Sequence, residues 1–160
     1  MNILNNLKSL AIIAIATMAF TSCSKDQTSF SIDDIQGKAR IKGTVFYSEG
    51  TNNRGDEIIK MATNTTILVK IDNSYLSPIG NAEGTTTFET VTNGKGEYEI
   101  EVPVLEGGAL VTIQPQAFIG KQKNSSSNET EEGIFTAEAT CQVVPNDIQF
   151  KDIEYQFNAR

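Results

Sequence analysis

The chain has 160 residues and a formal net charge of −7 at pH 7, with two cysteines, no histidine and no tryptophan. This length suits one domain with a sizeable core rather than two full domains. An acidic chain without a basic cluster is a poor partner for nucleic acid, and a chain without histidine lacks the usual base that activates a catalytic nucleophile.

The first 22 residues have the composition of a secretory signal peptide. One positive charge, Lys8, precedes the apolar run Leu10–Phe20, and small residues then lead to Cys23. The apolar run is too short for a comfortable membrane span. Its end, with the letters FTSC, resembles the lipobox of bacterial lipoproteins. This resemblance implies that Cys23 is acylated and becomes the first residue of the mature protein.

Acylation of Cys23 would decide where the protein is located. Each buried methylene contributes about 0.8 kcal/mol, so several acyl chains hold a protein firmly on a membrane. No acidic residue directly follows Cys23, which in a Gram-negative lipoprotein favours the outer membrane. We therefore predict a signal peptide over residues 1–22, a flexible tether over 23–37 and a folded domain over 38–160. The alternative is a cleaved secretory signal in which the cysteine falls by chance.

After the predicted tether, the chain shows short runs in which apolar and polar residues alternate, the pattern of half-buried strands. Turn residues separate these runs, and the two glycines of Asn93–Gly96 suit a hairpin. In the clearest strand, Tyr98, Ile100 and Val102 face inward while three glutamates face water. The predicted strands are Ala39–Tyr47, Thr65–Asp72, Thr85–Thr92, Glu97–Val102, Ala109–Gln114, Ile134–Val144 and Ile148–Phe157.

Three segments between or within these strands need a separate interpretation. Glu57–Ala62 could form one turn of helix. The polar segment Ile119–Gly133 is predicted to be a mobile loop. In the last strand, Ile148 and Phe150 are assigned to one register and Ile153 and Tyr155 to the other, which predicts a β-bulge near Lys151. About seven strands of this kind predict an all-β fold, an antiparallel β-sandwich of the immunoglobulin or transthyretin type.

Two stretches resemble carboxypeptidase-regulatory-like and transthyretin-like β-sandwich domains. The first is IKGTV (Ile41–Val45), and the second is TVTNGKGEYEI (Thr90–Ile100). Such domains typically open with a Gly-Thr-Val-like strand and later show a Thr-x-x-x-Gly-x-Tyr/Phe-x-Ile/Val hairpin. The resemblance covers roughly half of the chain and implies a stalk, spacer or ligand-presenting module. Transthyretin-like hydrolases depend on histidine, which this chain lacks.

We expect a non-catalytic lipoprotein of the outer membrane, facing either the periplasm or the cell surface. Its sandwich would bind an envelope protein or glycan, or serve as a spacer or structural module of an envelope assembly. No cofactor, metal site or nucleic-acid partner is expected. Three alternatives stay open: a glycan-binding accessory lipoprotein, a hydrolase, and a pilin-like subunit with an isopeptide bond between Lys42 and Asn158.

Phe46 and Leu68 are the candidate residues of a partner patch, because both point away from the inward sets of their strands. A glycan would instead need exposed aromatic rings, and Phe46, Tyr47 and Tyr75 are the candidates for such a platform. An unpaired edge strand near Pro115 is a further candidate for binding a protein.

Overall fold

The computed structural model describes residues 31–124 and 129–160. Within these ranges the chain forms twelve strands, one 3-10 turn (Ile32–Asp34) and one short helix, α1 (Asn73–Leu76). The all-β prediction is confirmed, although the strands outnumber the seven predicted. They are β1 (Lys38–Thr51), β2 (Glu57–Met61), β3 (Thr66–Asp72), β4 (Thr85–Val91), β5 (Glu97–Pro103), β6 (Ala109–Pro115), β7 (Phe118–Lys123), β8 (Thr130–Thr136), β9 (Ala139–Val143), β10 (Ile148–Phe150), β11 (Ile153–Glu154) and β12 (Gln156–Ala159).

The strands form two sheets that pack as a sandwich. The smaller sheet has the order β4-β3-β6-β9 and is antiparallel throughout. The larger sheet is built around β1, which pairs antiparallel with β5 and β2 but parallel with β10, β11 and β7. Strands β7, β8 and β12 complete it. The antiparallel prediction therefore fails at the three parallel pairs of β1.

Alternation along the strands builds the core between the sheets, because successive side chains of a strand point to opposite faces. In β3 the inward side chains predicted from the sequence are fully buried, and in β5 the outward glutamates are exposed as predicted. Pro115 ends β6, which lies inside the smaller sheet and not at its edge. The fully buried aliphatic side chains are Ile41, Val45, Ile67, Val69, Ile71, Val102, Val104, Val111, Ile113 and Val143.

The segment Ile119–Gly133 is mostly an antiparallel hairpin of β7 and β8, so the prediction of a mobile loop was wrong over the described residues. Three phenylalanines form a row across β7, β8 and β12, with ring centroids 4.7 Å apart for Phe118 and Phe135 and 5.0 Å apart for Phe135 and Phe157. Gly133 lies beneath Phe157 and leaves room for its ring. The prediction was wrong because it was based on the polar composition of the segment. The inner face of the hairpin is covered by aromatic rings from neighbouring positions, so the segment needs few apolar side chains of its own.

Two further predictions of local structure were wrong. Glu57–Ala62 is not a helical turn; most of it is β2, because β1 extends to Thr51 and offers a free edge for pairing. Ile134–Val144 is not one strand, since β8 belongs to the larger sheet and β9 to the smaller. The chain crosses between the sheets at residues 137–138.

The described part of the segment predicted as a tether packs against the sandwich. Ser31 caps the 3-10 turn by accepting a hydrogen bond from the Asp33 backbone N–H, and Ile35 is buried. The Gly37 carbonyl accepts a hydrogen bond from the Val104 N–H at 2.9 Å. Residues 1–30, including Cys23, lie outside the described residues.

The predicted bulge at Lys151 is also absent from the last strands. Lys42 is paired with Phe150 in β10 and Val45 with Ile153 in β11, which is the same register offset on both sides. No residue is inserted, so Ile148 and Phe150 point outward while Ile153 points into the core.

Between β10 and β11 the Lys151 N–H donates to the Lys42 carbonyl of β1 at 2.7 Å, but the Lys151 carbonyl accepts a hydrogen bond from a side chain. The Tyr98 hydroxyl donates to it at 2.7 Å. Burial raises the pKa of Tyr98, so the hydroxyl stays protonated as a donor. The carbonyl oxygen lies only 2.0 Å from the position that a Cβ would take on Gly43. A glycine is therefore required at this point of β1.

Gly43→Ala should lower the free energy of unfolding by about 3 kcal/mol, because the added methyl group meets a backbone carbonyl that Tyr98 holds in place. Urea unfolding followed by far-UV circular dichroism measures the change. Gly94→Ala is the matched control, since nothing lies within 4 Å of its added Cβ, and it should change stability by less than about 0.5 kcal/mol. Equal effects of the two substitutions would contradict the close approach.

Candidate functional site

The outer face of β5 and β1 carries a ladder of opposite charges. Lys42 Nζ lies 3.0 Å from a carboxylate oxygen of Glu99, and Lys38 Nζ lies 2.8 Å from one of Glu101. Arg40 contacts Glu99 at 3.3 Å. The hydrogen bond from Lys38 holds the pKa of Glu101 below its usual value. Each exposed pair adds little to the stability of the fold. Together the pairs balance the negative charges of Glu99 and Glu101.

Phe150 extends this face with an exposed aromatic ring. It lies on β10 opposite Lys42, and 78% of the residue is exposed. A shallow groove of about 520 Å³ runs from this ring across β1 and β5 to Val91 at the end of β4. We call it the Phe150 groove. Its lining also includes Lys42, Thr44, Asn93, Glu97, Glu99 and Asp152.

Asp152 is fixed in this groove by β1. One of its carboxylate oxygens accepts hydrogen bonds from the Thr44 hydroxyl at 2.7 Å and from the Thr44 backbone N–H at 2.8 Å. These two bonds hold the pKa of Asp152 below its usual value, with the hydroxyl contributing most. The other carboxylate oxygen is left to accept from a ligand.

Asn93 is fixed at the opposite end of the groove. Its side-chain oxygen accepts hydrogen bonds from the backbone N–H groups of Lys95 and Glu97, at 2.8 and 3.1 Å. Its side-chain nitrogen donates to the Glu97 carboxylate at 2.8 Å. The polar groups of the groove are thus oriented before any ligand arrives, which lowers the entropic cost of binding.

The structure does not bring the predicted patch residues together. Phe46 lies in the larger sheet, opposite Met61 of β2 and Glu154 of β11. Leu68 lies in the smaller sheet, between Glu89 and Gln114. Both side chains are half-buried. Since each points outward from a different sheet, they belong to separate surfaces, and a partner role of either stays a prediction.

The aromatic residues considered for a glycan platform are also separated. Tyr47 belongs to the buried ring cluster, 5.1 Å from Phe118 and 5.3 Å from Phe135, whereas Tyr75 lies in α1. The exposed ring that the sequence analysis missed is Phe150. The sequence contained a signal for this exposure. Ile148 and Phe150 are separated from Ile153 by an odd number of positions, so in an unbroken strand they point outward when Ile153 points inward.

The side chains required by the alternative functions contact other partners. Lys42 bonds Glu99, while Asn158 Nδ2 donates to the Thr136 hydroxyl at 3.1 Å, so the structure does not support an isopeptide bond between Lys42 and Asn158. Cys141 is a half-buried free thiol whose pKa is raised by burial.

Among residues 31–124 and 129–160, no three His, Cys, Asp or Glu side chains lie close enough together to hold a metal ion. In the same ranges no helix is long and apolar enough to cross a membrane.

A distant structural neighbour is found among solved proteins. A solved structure from Pseudomonas aeruginosa, described as a "putative carbohydrate binding protein", aligns with 79% of this chain and 97% of its own length. The sequence identity is 14% and the TM-score is 0.45, so the likeness carries no argument about the ligand of this chain. No protein-family model and no curated protein match the sequence.

Asp152→Asn should lower the free energy of unfolding by about 1 kcal/mol at pH 7, because charge-assisted hydrogen bonds become neutral ones at an exposed site. The folded pKa of Asp152 is depressed. Its contribution is therefore present above the unfolded pKa of about 3.9 and is lost as the pH falls through the lower, folded value. Urea unfolding at pH 7 and near pH 2 measures the difference between wild type and variant, which should shrink in acid. A difference independent of pH would contradict this assignment.

Proposed function

We propose that the protein is a non-catalytic, lipid-anchored component of the cell envelope whose sandwich binds a ligand in the Phe150 groove. The observation that carries this proposal is the exposure of Phe150 beside fixed carboxylate and amide groups. A large ring 78% exposed on a strand is costly to leave in water, and exposed apolar groups rimmed by polar ones are typical of binding sites.

The anchor in this proposal is an acylated Cys23. Its support is the order of features at the N-terminus, where a positively charged start, an apolar run and small residues precede the cysteine. The outer membrane is the proposed location because no acidic residue directly follows Cys23. The resemblance of residues 41–118 to carboxypeptidase-regulatory-like and transthyretin-like domains agrees with a ligand-presenting role and remains part of the proposal.

The electrostatics of the groove support a binding role over a catalytic one. A general acid needs a carboxyl group whose pKa is raised towards neutrality. The pKa of Asp152, which lines the groove, is instead lowered by its hydrogen bonds with Thr44. Carboxylates of this kind stay ionised at neutral pH and act as hydrogen-bond acceptors.

We propose a glycan as the ligand. A sugar presents an apolar face of C–H groups that can lie on an aromatic ring, and hydroxyl groups around its edge that need acceptors and donors. The Phe150 groove offers these elements together, with the ring on β10, carboxylates of Asp152 and Glu99, and the amide of Asn93. The groove is open and shallow, which suits one side of an extended chain.

A protein partner is the second candidate, and the exposed apolar residues of β10 favour it. Ile148 and Phe150 both lie on the outer face, at the edge of the larger sheet. Aromatic and aliphatic side chains of this kind become the anchors of protein interfaces. The two candidates differ in the residues that they require. A glycan requires the hydrogen-bonding groups of Asp152 and Asn93, whereas a protein partner requires mainly the apolar side chains of Ile148 and Phe150.

Cys23→Ala should abolish incorporation of an alkyne-tagged fatty acid in growing cells, because the variant lacks the sulfur that accepts the lipid. The variant should also leave the membrane fraction. Cys141→Ala is the matched control and should be labelled like wild type. Absence of label from the wild-type chain would overturn the anchor, and protease treatment of intact cells would then distinguish a secreted protein from a periplasmic one.

Phe150→Ala should weaken glycan binding at least about tenfold, which corresponds to the loss of one aromatic contact of about 1.5 kcal/mol. Isothermal titration calorimetry with cello-, xylo-, manno- and chito-hexasaccharides measures the effect. Phe150→Tyr should retain affinity, and Ile119→Ser, an exposed apolar residue of β7, serves as the control. A sugar that binds all four proteins equally, or a panel in which none binds wild type, would overturn the glycan assignment.

A further inference from the structure

A second exposed apolar surface lies at the end of the sandwich where the described chain begins. The turn Ser77–Gly80 is closed by a 3.0 Å hydrogen bond from the Gly80 N–H to the Ser77 carbonyl, and it projects Ile79, which is 77% exposed. Tyr75 beside it is 41% exposed. A groove of about 780 Å³ separates the turn from the 3-10 turn that carries Ile32. We call Ile32, Tyr75, Pro78 and Ile79 the entry-end surface.

The loop that presents this surface is held by several hydrogen bonds. Asn73 donates its backbone N–H to the Gly84 carbonyl and its side-chain N–H to the Glu83 carbonyl, each at 2.9 Å. The Thr86 hydroxyl donates to the Asn73 side-chain oxygen at 2.7 Å. Leu76 is buried beneath the turn. Ile79 is therefore exposed on a loop whose conformation is fixed by hydrogen bonds and by the burial of Leu76.

We propose that the entry-end surface rests on the lipid bilayer that holds the anchor, with Ile79 inserted between the headgroups and the acyl chains. This inference rests on the proposed acylation of Cys23. Ser31, the first described residue, follows Cys23 by eight residues, which span at most about 29 Å when fully extended. Since Ile32 itself lines the groove, the chain enters the sandwich at this surface, and the anchor keeps it within one tether length of the membrane.

The chemistry of the surface fits the boundary of a bilayer. Ile79 and Pro78 supply aliphatic contact, and Tyr75 combines an apolar ring with a hydroxyl group, as side chains at membrane interfaces do. Tethering raises the effective concentration of the surface at the bilayer, so a contact too weak to bind alone becomes populated.

The charges around the surface select the kind of lipid. Asp33, Asp34, Asp72 and Glu83 are exposed at this end, and Lys38, which lies near Ile32 and Asp33, bonds Glu101. Anionic headgroups are therefore repelled, whereas zwitterionic headgroups are tolerated. The preferred partner is a zwitterionic bilayer.

Spin-label accessibility in vesicles tests the contact. The lipidated mature chain, in a Cys141→Ala background, is labelled with a nitroxide at Ile79→Cys or at the control Ile119→Cys and reconstituted in phosphatidylcholine vesicles. We expect the label at 79 to lose collisions with a water-soluble chromium complex and to keep those with oxygen. The control label should stay open to both. Adding phosphatidylglycerol should return the label at 79 towards water.

The results distinguish a failure of the membrane contact at Ile79 from a failure of the lipid anchor at Cys23. A lipidated chain that sediments with the vesicles, while its label at 79 is as accessible to chromium as the control, overturns the membrane contact and leaves the anchor intact. A chain that carries no lipid overturns the anchor. In that case the mature Cys23→Ala chain, held on vesicles by an N-terminal hexahistidine tag and nickel-chelating lipid, gives the same readout at 79 and decides the contact by itself.

Discussion

The close approach of the Lys151 carbonyl to Gly43 is the contact on which the final strands depend. Only a residue without a Cβ leaves room for this carbonyl, which the Tyr98 hydroxyl then fixes. The Thr44 N–H next to it bonds the Asp152 carboxylate instead of a strand carbonyl. Because the register offset is the same before and after this point, the strands keep their phase, with Ile153 in the core and Phe150 in solvent.

This arrangement links the stability of the sandwich to its proposed site. The same short segment that joins the last strands to β1 places the exposed Phe150 ring and the Asp152 carboxylate in one groove. The ion pairs of Lys42 and Glu99 line the adjacent face. Under our proposals Phe150 and the entry-end surface around Ile79 have different tasks, since the first binds the ligand and the second meets the membrane.

Sequence patterns predicted best the strands whose environment is regular. In β3 and β5 every second residue is apolar and buried, so period alone identifies the inner face. The β7–β8 hairpin escaped prediction because Gly120 and Gly133 occupy inward positions under rings of other residues. Strand β2 escaped because only its pairing with the extended end of β1 makes it a strand. For the site, the sequence indicated Phe46, Tyr47 and Tyr75 but not Phe150, because the bulge predicted at Lys151 would place Ile148 and Phe150 on the same face as Ile153.

The sequence by itself determined the all-β class, the inward and outward faces of β3 and β5, and the signal-like N-terminus that leads to Cys23. These features are local, since they depend on composition and on alternation within one segment. Tertiary structure alone decided which strands join β1, that three of those pairs are parallel, and that Phe150 is exposed. These depend on contacts such as that of Gly43 with Lys151, between residues more than a hundred positions apart, which no local pattern encodes.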